Sequence, residues 1–281
     1  MTLSTATRPS SSLDRYRPGR VVGAFLRRDL SIVRSYRFPF VLDTLFGVLQ
    51  LAIFFFLSKT FEGAGPQGLD GAPSYFAFAA VGMVIALVIE AAADGISERV
   101  REEQLSGSLE ALLVQPINAA SLCAGLAAFP FAFAQIRALV YLLIAAVLMG
   151  LDLSETSWIG FTAIFVTSAL ALTGLGIVAA AAVLVFKRGQ VISGLAIFGM
   201  TLITGAVFPV SALPDWLARL GSVLPLRFSF DGARDALFQG SGWETDALAL
   251  GGYTLVGIPI AVLLFAKALD ATRRAGSLGQ Y

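Results

Sequence analysis

The side chains of this sequence best suited to polar chemistry are concentrated in residues 94–116, which read DGISERVREEQLSGSLEALLVQP. The charged residues of this segment include Glu98, Arg99, Arg101, Glu102, Glu103 and Glu110. Carboxylates and guanidiniums at this density form ion pairs, either with one another or with a partner. Gly107 permits the backbone to break between two short helices. Two interpretations remain open, a docking surface for a soluble protein and a solvated loop.

Residue types that build enzyme centres are scarce. The 281 residues include no histidine and one cysteine, Cys123, which excludes the usual zinc, haem and Cys/His or Ser/His arrangements but not a carboxylate-only site. The tetrapeptide LSGS at 105–108 has the form of a nucleotide-binding signature, but the sequence has no G-x-x-x-x-G-K-[ST] phosphate loop. We therefore expect no catalytic, metal-binding or cofactor-binding residues in this chain.

The composition is typical of a protein embedded in a bilayer. Hydrophobic residues make up 57% of the chain and charged residues 14%, with a mean hydropathy of +0.79. A helix crosses the hydrocarbon core in about 20 residues. Six apolar stretches have a suitable length, near 40–58, 74–93, 122–149, 158–185, 190–209 and 248–268. The predicted fold is an all-α membrane protein with six transmembrane helices.

The distribution of Lys and Arg predicts the orientation of these spans. Most of the 20 basic residues lie before the first span, after the sixth, or in alternate loops. Positive charge is retained on the cytoplasmic side, so both termini are expected there. Residues 1–19 lack the apolar core of a signal peptide and are expected to form a disordered cytoplasmic tail, with 271–281 as a C-terminal cytoplasmic tail. The net charge of +1 gives no support to nucleic-acid binding.

Residues 20–37 have the pattern of a basic amphipathic helix at the cytoplasmic interface. Apolar residues such as Phe25 share one face, whereas Arg27 and Arg28 lie on the other. Asp29 falls within the apolar arc, which predicts a polar partner on the protein rather than contact with lipid. The helix is interpreted either as a membrane-surface anchor or as an anchor that also contacts a cytoplasmic partner.

Residues 206–242 precede the last span and contain several prolines. Apolar side chains from Leu213 to Leu220 recur at helical spacing, which predicts two short amphipathic helices, re-entrant or interfacial. Trp216 favours a position at the outer membrane surface. These helices either cap the bundle or form an outer gate, for which the candidate residues are Pro209, Leu213, Pro214 and Trp216.

The polar side chains within predicted spans that we single out are Asp43, Glu90, Gln135 and Arg137. Ionisable residues in a span are costly and point to function by default. Asp43 and Glu90 lie near cytoplasmic ends, where they can reach the interface. Arg137 lies deeper and either pairs with Glu90 or forms a polar point in a translocation path; the sequence leaves both open.

Three segments together resemble the ABC-2 type permeases, the membrane subunits of ABC exporters. Glu98-Arg99 through Glu102, then GSLEALL at 107–113 and Pro116-Ile117, resemble the family's E-R-x-x-G-T-L-E-x-L-L-x-x-P-I stretch, with Ser108 in place of the usual Thr. FPVSALP at 208–214, followed by Trp216, Pro225-Leu226 and Arg234, resembles its P-x-x-x-L-P…W…L-P…R pattern. The amphipathic helix before span one completes the order, and the likeness covers about residues 20–270.

The resemblance implies a permease that docks a separate ATP-binding subunit, on which ATP and Mg are bound and hydrolysis occurs. Docking would involve the following residues of the charged loop and the N-terminal helix: Glu98, Arg99, Arg101, Glu102, Glu103, Gly107, Glu110, Arg27 and Arg28. It also implies a dimer with a second copy or a related permease, and a path built largely by spans one, two and five. The expected cargo is hydrophobic or amphipathic, such as a drug, antibiotic or lipid, exported across the bacterial cytoplasmic (inner) membrane.

Other functions remain compatible with the sequence. A polysaccharide or lipid-linked glycan exporter would expose aromatic residues along a wide channel. A membrane scaffold outside the ABC class would transport nothing. A secondary transporter would be ion-coupled, although no two spans carry matching Gly/Pro-interrupted segments with convergent carboxylates.

Overall fold

The computed structural model describes residues 18–35, 37–60, 69, 71–115, 117, 119–185 and 189–275, and this part of the chain is helical throughout, apart from turns and short connections. The α-helices are α1 (Pro18–Ser35), α2 (Arg37–Thr60), α3 (Tyr75–Leu105), α4 (Ser108–Val114), α5 (Ala119–Met149), α6 (Trp158–Val185), α7 (Gly189–Ile203), α8 (Asp215–Ser222), α9 (Pro225–Arg234) and α10 (Trp243–Ala275). A 3₁₀ turn occupies Val210–Ala212, and a π turn, Asp235–Gln239, continues α9. The predicted tail 1–19 lies almost entirely outside the described residues, as does 276–281.

Four of these helices are long and apolar enough to cross a membrane: α3, α5, α6 and α10. The apolar stretches of α2 and α7 are shorter, Thr44–Thr60 and Val191–Ile203. The structure thus confirms an all-helical protein with at least four candidate spans. The first and fifth of the six predicted spans correspond to these shorter helices, and a count of six remains a prediction.

The bundle is built around α3 and α6. Within the most apolar 18-residue stretch of each helix, 78% of the residues of α3 and 67% of those of α6 are buried, against 28% for α5 and 17% for α10. Residues 76–85 of α3 are all buried. Helices α2, α5 and α7 pack against α3, and α10 packs along α6. The outer helices expose apolar side chains, and a lipid bilayer accommodates such a surface.

Small residues set the spacing between the central helices. An added Cβ at Gly176 of α6 would lie 2.1 Å from the carbonyl oxygen of Ala92 on α3. At Gly174 it would meet the backbone of Gly257 on α10 at 3.4 Å. These glycines therefore serve packing within the bundle, as close helix contact requires. By contrast, added Cβ atoms at Gly194 and Gly199 of α7 would meet nothing within 4 Å.

Several boundaries differ from the sequence-based expectation. Helix α3 continues from the apolar region to Leu105, so residues 94–105 extend the second predicted span instead of forming a separate short helix. Its 31 residues extend about 46 Å, more than the roughly 30 Å hydrocarbon core. Helix α7 ends at Ile203 rather than near 209, since Gly205 turns the chain with φ +92°. Helix α10 continues to Ala275, into the predicted tail.

The elements expected on one side of the membrane meet at one end of the bundle. The loop 150–157 contacts the π turn: the Ser157 amide donates to the Ala236 carbonyl at 2.8 Å. At the other end, Thr272 donates to the Leu184 carbonyl at 3.5 Å, and Phe25 of α1 packs into the apolar cluster formed with α5 and α10. Segments that meet at the same end of the bundle are therefore consistent with an even number of membrane crossings along the chain between them.

Candidate functional site

The first candidate site is a polar cluster that joins α1, α3 and α4. The Arg28 guanidinium on α1 donates to Oε1 of Glu103 at 2.6 Å. The other oxygen of Glu103 accepts a hydrogen bond from the Ser108 hydroxyl at the start of α4. Glu103 is buried, at 7% exposure, so both oxygens of a desolvated carboxylate are used. One side chain thus ties the interfacial helix to the short helix beyond α3.

A second set of ion pairs lies beside this carboxylate. Arg99 of α3 lies 3.6 Å from Asp29 of α1 and donates to Glu102 at 2.9 Å. Asp29 is 1% exposed and also accepts from Arg28 at 3.1 Å. The predicted polar partner for Asp29 is therefore confirmed. Burial lowers the pKa of Arg28, but hydrogen bonds and charge from Glu103 and then Asp29 outweigh it, so the pKa of Arg28 is raised above its ordinary value.

Beyond this cluster, the α3–α4 corner presents an exposed tip. Leu105 is 66% and Val114 86% exposed, and Ser106, Gly107 and Ala111 are also exposed. Gly107 has φ +71°, a left-handed conformation that costs L-residues free energy. Exposed apolar side chains at the end of a polar corner form a surface suited to contact with another protein.

The predicted docking residues do not share one environment. Glu98, Glu102 and Arg27 are exposed, whereas Arg101 is half-buried and donates to Gln104 at 3.4 Å. Arg28, Arg99 and Glu103 engage partners within the chain, as described above. The side chain of Glu110 lies outside the described residues. The internal role of Glu103 is not evident from the sequence, because charge alone does not reveal burial.

The second candidate site is a cavity of about 360 Å³ between α2, α3 and α7. Its apolar walls include Phe54, Met83 and Phe198, and its polar lining residues are Gln50, Glu90, Asp94 and Thr201. The resemblance implied that spans one, two and five build a path, and α2, α3 and α7 are the helices in those positions.

A neighbouring cleft of about 580 Å³ lies between α3 and α5, with Ile32 of α1 at its edge. Glu90 and Arg137, which the sequence suggested as a pair, both line this cleft together with Asp94. The Arg137 guanidinium also lies 5.8 Å from the Tyr141 ring. Gln135 is half-buried on α5 outside the lining of this cleft, and the side chain of Asp43 lies outside the described residues.

Helix α5 begins well before its polar residues Gln135 and Arg137. Helix α5 runs from Ala119 through Pro130 without interruption. An added Cβ on Gly95 of α3 would lie 2.9 Å from the Pro130 ring, so α3 and α5 approach closely at this level. The length of the third apolar stretch reflects a helix whose first half packs against α1, where Phe25 covers Gly125.

The segment expected to form an outer gate contains the two short helices that its pattern predicted, α8 and α9. Pro209 is buried and Leu213 half-buried, whereas Pro214 and Trp216 are exposed. Trp216, at 68% exposure, lies on the outer surface of the helix. That these four residues form an outer gate remains a prediction.

The most deeply buried charged side chain described in this segment is Arg234, which is 0% exposed. Its guanidinium donates to the carbonyls of Gly205 at 2.7 Å and of Ala206 and Phe78 at 3.4 Å. It also lies 3.6 Å from the centre of the Phe78 ring. Carbonyls that follow a helix end carry partial negative charge and favour a cation there. Arg234 thus holds α9, the end of α7 and α3 together. The sequence motif contained this arginine but gave no sign of its burial.

Comparison with protein families identifies the class of protein that these features define. The ABC-2 type transporter family matches residues 22–238, which covers most of α1, the α3–α4 corner and α9. The chain belongs to the ABC-2 type transporter family. It is a multi-pass membrane permease, and the membrane domain of this family has no ATPase activity of its own. Permeases of this family generally pair with an ATP-binding subunit.

No curated protein matches the chain closely enough to count as a relative. Among the described residues, no group of three or more His, Cys, Asp or Glu side chains is arranged to hold a metal ion.

Proposed function

We propose that this chain is the membrane subunit of an ATP-driven exporter that moves a hydrophobic or amphipathic compound out across the bacterial cytoplasmic membrane. The observation that carries the proposal is the continuity of α3. One helix, Tyr75–Leu105, contributes Met83, Glu90 and Asp94 to the cavity wall and ends at the exposed tip. A displacement of the tip is therefore transmitted to the cavity without an intervening hinge in α3.

The polar cluster supports the same mechanism. A separate ATP-binding subunit would contact the tip formed by Leu105, Gly107 and Val114, together with exposed charges such as Glu102 and Arg27. Glu103 connects α4 to α1 through Ser108 and Arg28. Closure of the ATP-binding subunits then moves α1, α3 and α4 as a unit, and hydrolysis takes place on the partner.

The proposed exporter is dimeric and has a defined orientation in the membrane. Both termini lie in the cytoplasm, α2 and α7 cross the membrane as the first and fifth of six spans, and two copies or two related permeases form a dimer. Exposed apolar residues on α2, such as Phe46 at 70% and Ile53 at 63%, are consistent with a face that meets lipid or a second copy.

Co-purification with the ATP-binding subunit tests this function. The variants Leu105→Asp and Val114→Asp place charge on exposed apolar tip residues, so they should preserve folding while disrupting docking and reducing ATP hydrolysis by the complex. Val223→Asp is the control, because Val223 is similarly exposed, at 61%, but follows α8 at the other end. A chain that folds as a dimer yet captures no ATP-binding subunit would favour a scaffold or a secondary transporter.

A further inference from the structure

The ionisable residues described in the lining of the cavity between α2, α3 and α7 are both acidic. Apart from Glu90 and Asp94, its described lining residues carry no ionisable side chain, and most are apolar. Its volume of about 360 Å³ falls in the range of small-molecule sites, which combine apolar walls with a few polar groups. The two carboxylates occur one helical turn apart on α3, so they lie on the same face of that helix.

The adjoining cleft adds further carboxylates to this region. Four carboxylates line it, from Glu90, Asp94, Glu98 and Glu102, against two guanidiniums, from Arg99 and Arg137. Arg99 already contacts Asp29 and Glu102. Even where Arg137 compensates one carboxylate, the lining retains an excess of negative charge.

This excess favours one class of ligand. Like charges one turn apart repel, and the repulsion grows where apolar walls exclude water. An organic cation between them relieves that repulsion and transfers its apolar groups onto the walls. The rings of Phe54 and Phe198 can add cation–π attraction. A neutral ligand gains only the favourable free energy of the apolar contacts, and an anion is repelled by the carboxylates.

We propose that this cavity binds a cationic amphiphile, with Glu90 and Asp94 contacting the charge and the walls of α2, α3 and α7 contacting the apolar body. Binding of this ligand does not depend on the proposed exporter function. The further claim that this ligand class is the exported substrate rests on that proposed function. Asp94, which is half-buried, contributes more to affinity than the more exposed Glu90.

Binding of tetraphenylphosphonium to the purified full chain in phosphatidylcholine nanodiscs tests the site without the ATP-binding subunit. Tetraphenylborate is the matched probe, because it has nearly the same shape and the opposite charge. After subtraction of binding to empty nanodiscs, we expect the wild type to bind the phosphonium at least about tenfold more tightly than the borate. Asp94→Asn should weaken phosphonium binding about tenfold and Glu90→Gln about threefold, as expected for partly desolvated charge contacts.

Two further variants control for charge and for folding. Glu155→Gln removes an exposed carboxylate from the loop 150–157 and should leave the affinity unchanged. Ala86→Leu narrows the cavity without altering its charge and should weaken the binding of both probes, which keeps a test available if the carboxylate variants fail to fold. Equal affinity for the two probes, or wild-type phosphonium affinity in the folded Glu90→Gln/Asp94→Asn variant, would overturn the proposal.

A parallel measurement separates this inference from the proposed function. The chain and its ATP-binding subunit are reconstituted in proteoliposomes, and ATP hydrolysis is measured with and without tetraphenylphosphonium. If the tip variants abolish hydrolysis but the carboxylate variants bind the phosphonium normally, the exporter function stands and the cation site is wrong. If binding depends on the carboxylates but the chain forms no ATP-hydrolysing complex with an ATP-binding subunit, the cation site stands and the exporter function is wrong.

Discussion

At the scale of single residues, this permease depends on charges whose partners lie far away in sequence. Arg28 and Glu103 are separated by 75 positions, and Arg234 and Phe78 by 156. Each pair fixes one helix against another at an end of the bundle. Removing the partner of a buried charge such as Glu103 or Arg234 leaves that charge desolvated without compensation, which costs more than losing a surface pair.

Glu103 and Glu102 offer a matched test of this difference, because they are adjacent carboxylates on α3 with different burial. Glu103→Gln should lower the free energy of unfolding by about 1–3 kcal/mol, since it weakens the contacts to Arg28 and Ser108. Glu102→Gln should change it by less than about 1 kcal/mol, as is usual for an exposed pair. Thermal unfolding of the purified variants measures both, and equal shifts would contradict the assigned role of Glu103.

Arg234 is expected to be sensitive even to a conservative change. Lysine retains the charge but not the planar group that lies against Phe78 and donates to several carbonyls, so Arg234→Lys should destabilise the protein by about 2–4 kcal/mol. Arg219→Lys on the exposed face of α8 is the control and should be nearly neutral. Thermal stability in detergent provides the measurement, and an unchanged Arg234→Lys protein would show that the carbonyl contacts contribute little.

At the scale of elements, glycine has two distinct uses in this chain. Gly176 permits α6 to contact the α3 backbone, whereas Gly107 permits the left-handed turn between α3 and α4. The first use is a matter of space and the second of backbone conformation. They therefore respond differently to the addition of one methyl group.

Gly107 isolates the conformational effect, because an added Cβ there would meet nothing within 4 Å. Gly107→Ala should destabilise the corner by about 1–2 kcal/mol, the cost of placing an L-residue in the left-handed region. Gly199→Ala also adds a methyl group in open space, but within a helix, and should stabilise by up to about 1 kcal/mol. Unfolding measurements on the two variants should therefore give shifts of opposite sign, and shifts of the same sign would refute this explanation.

At the scale of the whole molecule, the two ends of the bundle carry different chemistry. One end holds the charged cluster of α1, α3 and α4. The other holds the amphipathic helices α8 and α9, stabilised by Arg234 and in contact with loop 150–157. We propose that the charged end is cytoplasmic, because energy from an ATP-binding subunit must enter there.

Single-cysteine labelling tests this orientation. In a Cys123→Ala background, Ser154→Cys lies in the exposed loop between α5 and α6 and should react with a membrane-impermeant maleimide in intact cells. Ser106→Cys lies at the exposed tip and should react only after permeabilisation. The reverse pattern would place the tip outside and invert the proposed topology.

The sequence by itself determined the membrane class, the positions of the apolar helices, the amphipathic character of α1, α8 and α9, and the family. These properties are local, since apolar length, helical periodicity and motif spacing are encoded within each segment. It also predicted that Asp29 has a polar partner, because one acidic residue interrupts an apolar arc. Only the tertiary structure decided that Glu103 is buried while Glu102 is exposed, that Arg234 holds three elements together, and that Glu90 and Asp94 face a cavity. Burial and pairing depend on which distant helices meet, and no periodicity within a single helix specifies that contact.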